Sequence, residues 1–190
     1  MKRVLCISGK RFSGKDSFAD LLCERARARG HELALFAFAD VSKRMLVEAQ
    51  RAKGVEVDFA RLLSDRAYKE LWRPTLTQLT TDSIAGDPFV FCREVGDRIE
   101  VCDRPALITD LRLRVEVAHL RPRFDLHVVR LARSDARRAA SGWVYDRDVD
   151  GNYTETELDD PSLWDEVVTN DGTADELRSK AAAVIDAYLT

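Results

Sequence analysis

The sequence predicts an α/β fold in three layers, with a doubly wound parallel sheet of about five strands covered by helices on both faces. Short apolar runs of strand length alternate with longer segments whose apolar residues recur at helical spacing. The length of 190 residues suits one compact domain with a sizeable core. We therefore expect a single domain over residues 1–190.

The first elements follow from one apolar run and one amphipathic pattern. Residues 3–8 (RVLCIS) are typical of a buried strand, and residues 9–16 form a glycine-bearing loop. A helix follows to about residue 29, because the apolar residues between Phe18 and Ala26 fall on one face. Gly30 then ends this helix.

The middle of the chain continues the alternation of strands and helices. Proline lacks the N–H that a helix interior needs, so we expect a helix break near Pro74. Asp110 directly follows a predicted strand, and thus lies at the edge where parallel sheets bind ligands. Helices are predicted at 41–53, 58–63, 65–81, 88–98 and 115–120, and strands at 33–38, 106–109 and 126–131.

The last third begins with a segment of unusual charge. Residues 132–162 start as a basic helix and become a polar loop, before a short strand that ends at Asn170 and an amphipathic C-terminal helix through Tyr188. Nine arginines and four acids fall in residues 104–138, whereas nine acids and one arginine fall in residues 144–166. The net charge of −3 argues against a nucleic-acid partner, but it hides this basic block and does not exclude a small anion.

The strongest functional signal is GKRFSGKD at residues 9–16, which fits the G-x-x-x-x-G-K pattern of a phosphate loop between a strand and a helix. Glycines let the backbone curl so that successive N–H groups face one phosphate cluster, and the helix start adds positive potential. Lys15 would reach the β- and γ-phosphates of a nucleotide. ATP is therefore expected to contact Gly9, Lys10, Arg11, Ser13, Gly14, Lys15, Asp16 and Ser17.

Asp16 departs from the general loop pattern, which has Ser or Thr at this position as a ligand of Mg²⁺. A carboxylate also binds Mg²⁺, directly or through water, and Ser17 supplies the next hydroxyl. We therefore expect Mg²⁺ at Asp16 and Ser17.

The stretch SGKRFSGKD closely resembles the phosphate loop of the animal-type phosphomevalonate kinases, which also carry Asp after the Lys. The resemblance continues in the same order through RLLSDRAYKE, GDPFVFCREV, TDLR, SGWVYDRDVD and VVTND. It implies a nucleoside-monophosphate-kinase-like fold with a mobile lid over about residues 132–162. It also implies transfer of the γ-phosphoryl group of ATP to the phosphate of 5-phosphomevalonate, which gives 5-diphosphomevalonate and ADP.

The resemblance assigns roles to several cations and polar residues. The acceptor would be held by Lys69, Arg73, Arg93 and Arg112, of which Lys69 and Arg73 share one helix face. Arg114 is a further candidate for the acceptor, although it stands one position after the place where the family has its second arginine. The lid would bring Arg133, Arg137 and Arg138 to ATP. Asn170 would contact the adenine; the alternative is a structural role in the Asn-Asp-Gly turn that it begins. Catalysis would rest on Lys15, Lys10, Arg112, Arg138 and Asp110. The acids after the lid arginines are interpreted as a solvated loop; a sharper hypothesis is that they hold the basic lid while the site is empty.

Two positions depart from the family pattern. Leu113 stands where the family has a second arginine after the TDLR-like motif, and Ser141 stands where it usually has arginine before Gly-Trp. These departures leave a kinase of deoxynucleoside monophosphates, or of another small phosphate or phosphonate, as alternatives. A nucleotide-binding module without catalysis is a further alternative, which the intact Lys15 argues against.

Cellular context is expected from simpler features. The four cysteines form no CxxC pair, the N-terminal segment lacks a signal-peptide pattern, and no run of ~18 apolar residues occurs. We expect a cytoplasmic monomer that acts on a small phosphorylated molecule, without a membrane or nucleic-acid partner.

Overall fold

The computed structural model describes the backbone of all 190 residues and every side chain except that of Arg66. The five strands are β1 (Arg3–Ser8), β2 (Ala34–Phe36), β3 (Ala106–Leu111), β4 (Asp125–Ala132) and β5 (Glu166–Thr169). They form one parallel sheet in the order β2-β3-β1-β4-β5. The central strand β1 lies where the strand order reverses, which is the position that binds ligands in such sheets.

Helices cover both faces of this sheet, which confirms the three predicted layers. They are α1 (Lys15–Ala28), α2 (Phe38–Arg51), α3 (Phe59–Ser64), α4 (Arg66–Gly86), α5 (Val90–Glu100), α6 (Arg114–Leu120), α7 (Asp135–Ala140), α8 (Arg147–Asp150), α9 (Tyr153–Thr156) and α10 (Ala174–Tyr188), with a 3₁₀ turn at Pro161–Leu163. Among the described residues, no helix is both long and apolar enough to cross a membrane.

Alternate residues of β1 enter two separate cores, because successive side chains of a strand point to opposite faces. Val4 and Cys6 pack with apolar residues of α2, α5 and α6 on one face. Leu5 and Ile7 pack with α1 and α10 on the other. All four side chains are fully buried, so β1 and the loop that follows it are held from both sides.

Two expectations about the elements are wrong, one on the end of the second strand and one on a helix break. The second strand ends at Phe36, because the carboxylate of Asp110 accepts hydrogen bonds from the backbone N–H groups of Phe38 (2.9 Å) and Ala39 (3.0 Å) and so starts α2 early. The expected break at Pro74 does not occur, and α4 is continuous. Proline removes one helical hydrogen bond, but the turns on either side and the packing of α4 on α2 and α3 preserve the helix.

The polar part of residues 132–162 folds into short turns instead of the predicted loop. Three polar side chains cap these turns: Asp146 accepts from the N–H of Asp148, Asn152 from that of Thr154, and Asp160 from that of Ser162. Asp and Asn are frequent in loops, but they are also the residues that cap short helices. The composition of this stretch therefore does not distinguish a loop from a series of very short helices.

Candidate active site

The loop of residues 9–14 leaves β1 at the carboxyl edge of the sheet and enters α1. Gly14 has a φ of 93°, and a Cβ at this position would lie 2.5 Å from Nδ2 of Asn170. A Cβ at Gly9 would lie 2.7 Å from the carbonyl oxygen of Leu131. The geometry therefore requires glycine at both motif positions.

Lys15 folds back over this loop. Its Nζ donates to the carbonyl oxygens of Gly9 (2.5 Å) and Lys10 (3.0 Å). Burial, and then the positive charge of Arg112, lower the pKa of Lys15 to about 8. The hydroxyl of Ser13 is buried nearby and has no hydrogen-bond partner among the described groups. A bound anion would favour the charged form of Lys15 and accept a hydrogen bond from Ser13.

The neighbouring strands bring further polar side chains to the loop. Arg112 follows β3, Arg130 lies near the end of β4, and Asn170 follows β5. The guanidinium of Arg130 donates to Oγ of Ser8 (3.0 Å), and Nδ2 of Asn170 donates to the carbonyl oxygen of Ser13 (2.8 Å). Asn170 thus holds the loop in this structure, whereas the resemblance implies contact with adenine.

Helix α7 attaches to the loop through Arg138. This side chain is only 6% exposed, its Nε donates to the carbonyl oxygen of Arg11 (2.9 Å), and its guanidinium lies 3.8 Å from the ring centroid of Trp143. Arg133 donates to the carbonyl oxygen of Phe12 (3.3 Å). Between the loop and these arginines lies a cleft of about 390 Å³, lined by Lys10, Ser13, Arg130, Arg133, Arg138, Trp143, Tyr145 and Trp164 among others.

Residues 146–160, which we call the acidic segment, reach into this site. The side chains of Asp150 and Glu155 are 7% and 4% exposed, and each contacts an arginine of the site. Asp159 contacts Lys10 and Arg130. The interpretation as a solvated loop is therefore wrong for Asp150 and Glu155. Asp146 and Asp148 are exposed as that interpretation expects, whereas Glu157 is half-buried.

Several predicted site residues lie outside the cleft. Arg114 is exposed and pairs with Asp160 (3.1 Å), although Arg112, two residues earlier, points to the loop side. Arg93 pairs with Asp87. Arg73 of α4 is exposed and pairs with Glu70 (2.5 Å). Lys69, on the same helix, is half-buried; burial, and then the charge of Lys43, lower its pKa. Arg137 is exposed on α7.

Asp110 lies at the predicted strand end but has a different role in this structure. Both of its carboxylate oxygens accept hydrogen bonds from the N–H groups that begin α2. Burial raises the pKa of this carboxyl above its usual value, although the two N–H groups act in the opposite direction. Asp110 is therefore placed to position α2 beside the site.

Two residues of the site were missed by the sequence reasoning. Arg130 carries the same signal as Arg112, since both occur at the end of an apolar strand. Glu116 has no such signal. It is buried in α6, and one carboxylate oxygen accepts from the backbone N–H groups of Arg112 (2.7 Å) and Leu113 (2.9 Å), which fixes the turn that carries Arg112.

The first turn of α1 suits a magnesium ion. Asp16 and Ser17 are exposed there, next to Lys15, and neither side chain pairs with a described residue. No group of three or more His, Cys, Asp or Glu able to hold a metal occurs among the described side chains. One carboxylate and one hydroxyl fit Mg²⁺, which keeps several waters and shares the oxygens of a bound phosphate.

Comparisons with known proteins point in one direction. Residues 7–126 match the model of a family described as phosphomevalonate kinase. A phosphomevalonate kinase of Drosophila melanogaster is 27% identical over 184 residues, which cover 93% of this chain and 92% of the relative.

Two solved structures share the fold. TT1252 from Thermus thermophilus is 20% identical with a TM-score of 0.58, and the match covers 100% of this chain and 98% of that protein. The APS kinase of Mycobacterium tuberculosis, in complex with AMPPNP and APS, is 15% identical with a TM-score of 0.54 at the same coverage. At these identities the likeness supports the fold alone.

The buried carboxyl of Glu116 makes stability depend on pH. Burial raises its pKa to about 8, so the folded chain keeps a proton that the unfolded chain releases near pH 4.5. Across that window the folded state binds more protons, and this contribution to the free energy of unfolding therefore falls as the pH rises. Glu116→Gln does not titrate. It should therefore reduce the change in the free energy of unfolding between pH 5 and pH 8 by about 3–4 kcal/mol.

This difference is measured by urea denaturation at several pH values. Glu56→Gln, at an exposed site, is the matched control and should follow the wild-type curve. Parallel curves for Glu116→Gln and the wild type would show that Glu116 is ionised in the folded chain.

Proposed function

The chain belongs to the phosphomevalonate kinase family, and we propose that it transfers the γ-phosphoryl group of ATP to the phosphate of 5-phosphomevalonate, giving 5-diphosphomevalonate and ADP. The observation that carries the proposal is a convergence of cations on one loop at the sheet edge. Phosphoryl transfer between two phosphates demands positioning and neutralisation of charge more than covalent chemistry. The converging residues are Lys10, Arg11, Lys15, Arg112, Arg130 and Arg138.

The phosphate loop is proposed to hold the β- and γ-phosphates of ATP. Its backbone N–H groups and the start of α1 supply fixed dipoles, and the hydroxyl of Ser13 is free to donate. Lys15 leaves the carbonyl oxygens of Gly9 and Lys10 and follows the charge that develops on the transferring group. Mg²⁺ at Asp16 and Ser17 would neutralise phosphate oxygens when bound.

Arg112 is proposed to hold the acceptor phosphate in line with ATP. Its guanidinium lies beside the backbone N–H of Arg11, because both bind the carboxylate of Glu155. The planar fork of arginine suits two phosphate oxygens. We propose that the carboxylate end of the acceptor points towards Lys69 and Arg73 of α4 and Arg93 of α5.

The lid of residues 132–162 is proposed to close the site during transfer. Arg138 already joins α7 to the phosphate loop, and Arg133 contacts the same loop. Closure excludes water, which would otherwise accept the phosphoryl group. Action as a monomer stays a prediction.

The acceptor is tested by measuring ADP release with 5-phosphomevalonate, with each deoxynucleoside monophosphate, and with no acceptor. We expect the kcat/KM for 5-phosphomevalonate to exceed that of any nucleotide by at least about 10-fold, or ~1.4 kcal/mol in transition-state stabilisation. A nucleotide acceptor preferred by the same factor would make the chain a deoxynucleoside monophosphate kinase. Tight ATP binding with no turnover would indicate a binding module.

Lys15→Ala should remove about 3 kcal/mol of transition-state stabilisation, because the ammonium follows the charge on the transferring group. The measurement is kcat/KM from ADP release under saturating ATP. Lys53→Ala, at an exposed site in the turn that follows α2, is the control for loss of a lysine. Turnover of Lys15→Ala near the wild-type rate would refute the assignment of the loop.

Arg112 and Arg114 form a natural pair for locating the acceptor. Because Arg112 faces the loop and Arg114 pairs outside the site with Asp160, Arg112→Ala should lower kcat/KM by about 100-fold or more. Arg114→Ala should stay within about threefold of the wild type, as expected for an exposed ion pair. Equal losses in the two variants would place the acceptor on the outer side of α6.

A further inference from the structure

Asp159 of the acidic segment lies between two cations of the phosphate site. Its carboxylate is 2.7 Å from Nζ of Lys10 and 2.5 Å from a guanidinium nitrogen of Arg130. The Arg130 side chain is buried, and its guanidinium carbon lies 5.2 Å from the ring centroid of Trp164. A second guanidinium nitrogen donates a hydrogen bond to Oγ of Ser8. Among the described side chains, Asp159 is the acid that forms an ion pair with Arg130.

Glu155 occupies a second position of the same kind. One oxygen accepts from the backbone N–H of Arg11 (2.7 Å), inside the phosphate loop, and the other pairs with the guanidinium of Arg112. A backbone N–H and an arginine fork are the donors that recognise a phosphate. The carboxylate is almost fully buried there, with 4% of its side chain exposed.

Asp150 is a third carboxylate that lies between cations of the site, beside Arg138 of α7. It lies 3.5 Å from nitrogens of both Arg11 and Arg138 and accepts from Nε1 of Trp143 (3.0 Å). Three carboxylates from one short stretch of chain therefore pair with five cations of the site, of which Arg138 also pairs with Asp135 of α7 (2.8 Å).

Carboxylate and phosphate oxygens compete for the same donors, and two anions do not share one pocket without strong repulsion. We propose that the acidic segment is a built-in competitor of the substrates: in the free enzyme, Glu155 and Asp159 occupy phosphate positions, and bound phosphates must displace them. The identity of those phosphates rests on the proposed function, whereas the competition rests on the contacts alone.

The segment is constructed so that displacement is possible. The acidic segment contains two four-residue helices, α8 and α9. Gly142, whose φ is 89°, precedes the segment and Pro161 follows it. Leu158 is its one buried aliphatic residue among those described, and Asp159 is 40% exposed. Few apolar contacts hold the segment, so its position depends on the ion pairs that phosphate replaces.

The competition has a measurable consequence. Phosphate binds only to molecules in which the acids are displaced. The observed affinity for phosphate is therefore the intrinsic affinity multiplied by the fraction of molecules in that state. Removing one carboxylate raises this fraction. Neutralising Asp159 or Glu155 should therefore tighten anion binding, although each variant also loses contacts seen in the free enzyme.

The first experiment measures binding of inorganic tripolyphosphate and of ATP by calorimetry, with tryptophan fluorescence as a second readout, since Trp143 and Trp164 stack on arginines of the site. Asp159→Asn and Glu155→Gln should bind tripolyphosphate about 5–10-fold more tightly than the wild type. Asp148→Asn loses the same charge from the same segment but makes no ion pair with a described residue, and should stay within about twofold. Unchanged or weaker binding by both site variants would overturn the proposal, as would an equal gain in Asp148→Asn.

The second experiment uses the wild-type chain, so it does not depend on the folding of a variant. Hydrogen exchange at residues 147–160 should become faster when tripolyphosphate binds, because the acids lose their partners, while exchange in residues 9–17 becomes slower. Slower or unchanged exchange over residues 147–160 would overturn the proposal. Tripolyphosphate needs no acceptor, so this result stands even if 5-phosphomevalonate is not phosphorylated.

Discussion

The structure depends on holding many like charges together at one edge of a parallel sheet. Since β1, β3 and β4 run in the same direction, the residues that follow them meet at that edge, around the loop that begins at Gly9. Cations gathered in this way repel one another, and burial of Arg130 and Lys15 adds a cost of desolvation that lowers the pKa of both groups. The arrangement is stable only if anions lie among the cations.

The same requirement explains the distribution of charge along the chain. A net charge of −3 suggests no affinity for anions, but the basic block at residues 104–138 supplies site arginines and the acidic block at residues 144–166 supplies their partners. The two blocks are adjacent in sequence because the acidic segment lies on the connection between β4, which carries Arg130, and β5, at the edge of the sheet. The net charge is therefore a poor guide to the ligands of this chain, and the positions of the charged residues are a better one.

Sequence patterns predicted the strands, the order of elements and the phosphate loop, because each of these depends on local periodicity or on one short motif. They failed where long-range contacts decide the outcome. Phe38 enters a helix because Asp110, 72 residues later, caps it. Glu155 is buried because its partners come from the loop and from β3, which no local composition reveals. Residue spacing also did not separate Arg112, which faces the site, from Arg114, which does not.

The two departures from the family pattern can now be judged by their contacts. The backbone N–H of Leu113 is held by Glu116, so the turn that aims Arg112 does not depend on the side chain at position 113. Ser141 ends α7 before Gly142, and Arg138, one turn earlier, already binds the loop and Trp143. In each place an arginine that contacts the site lies nearby: Arg112 beside Leu113, and Arg138 before Ser141. With fewer arginines, the charge of two substrates must be balanced by Lys10, Arg11 and Arg130, which are the groups that the acidic segment holds in the free chain.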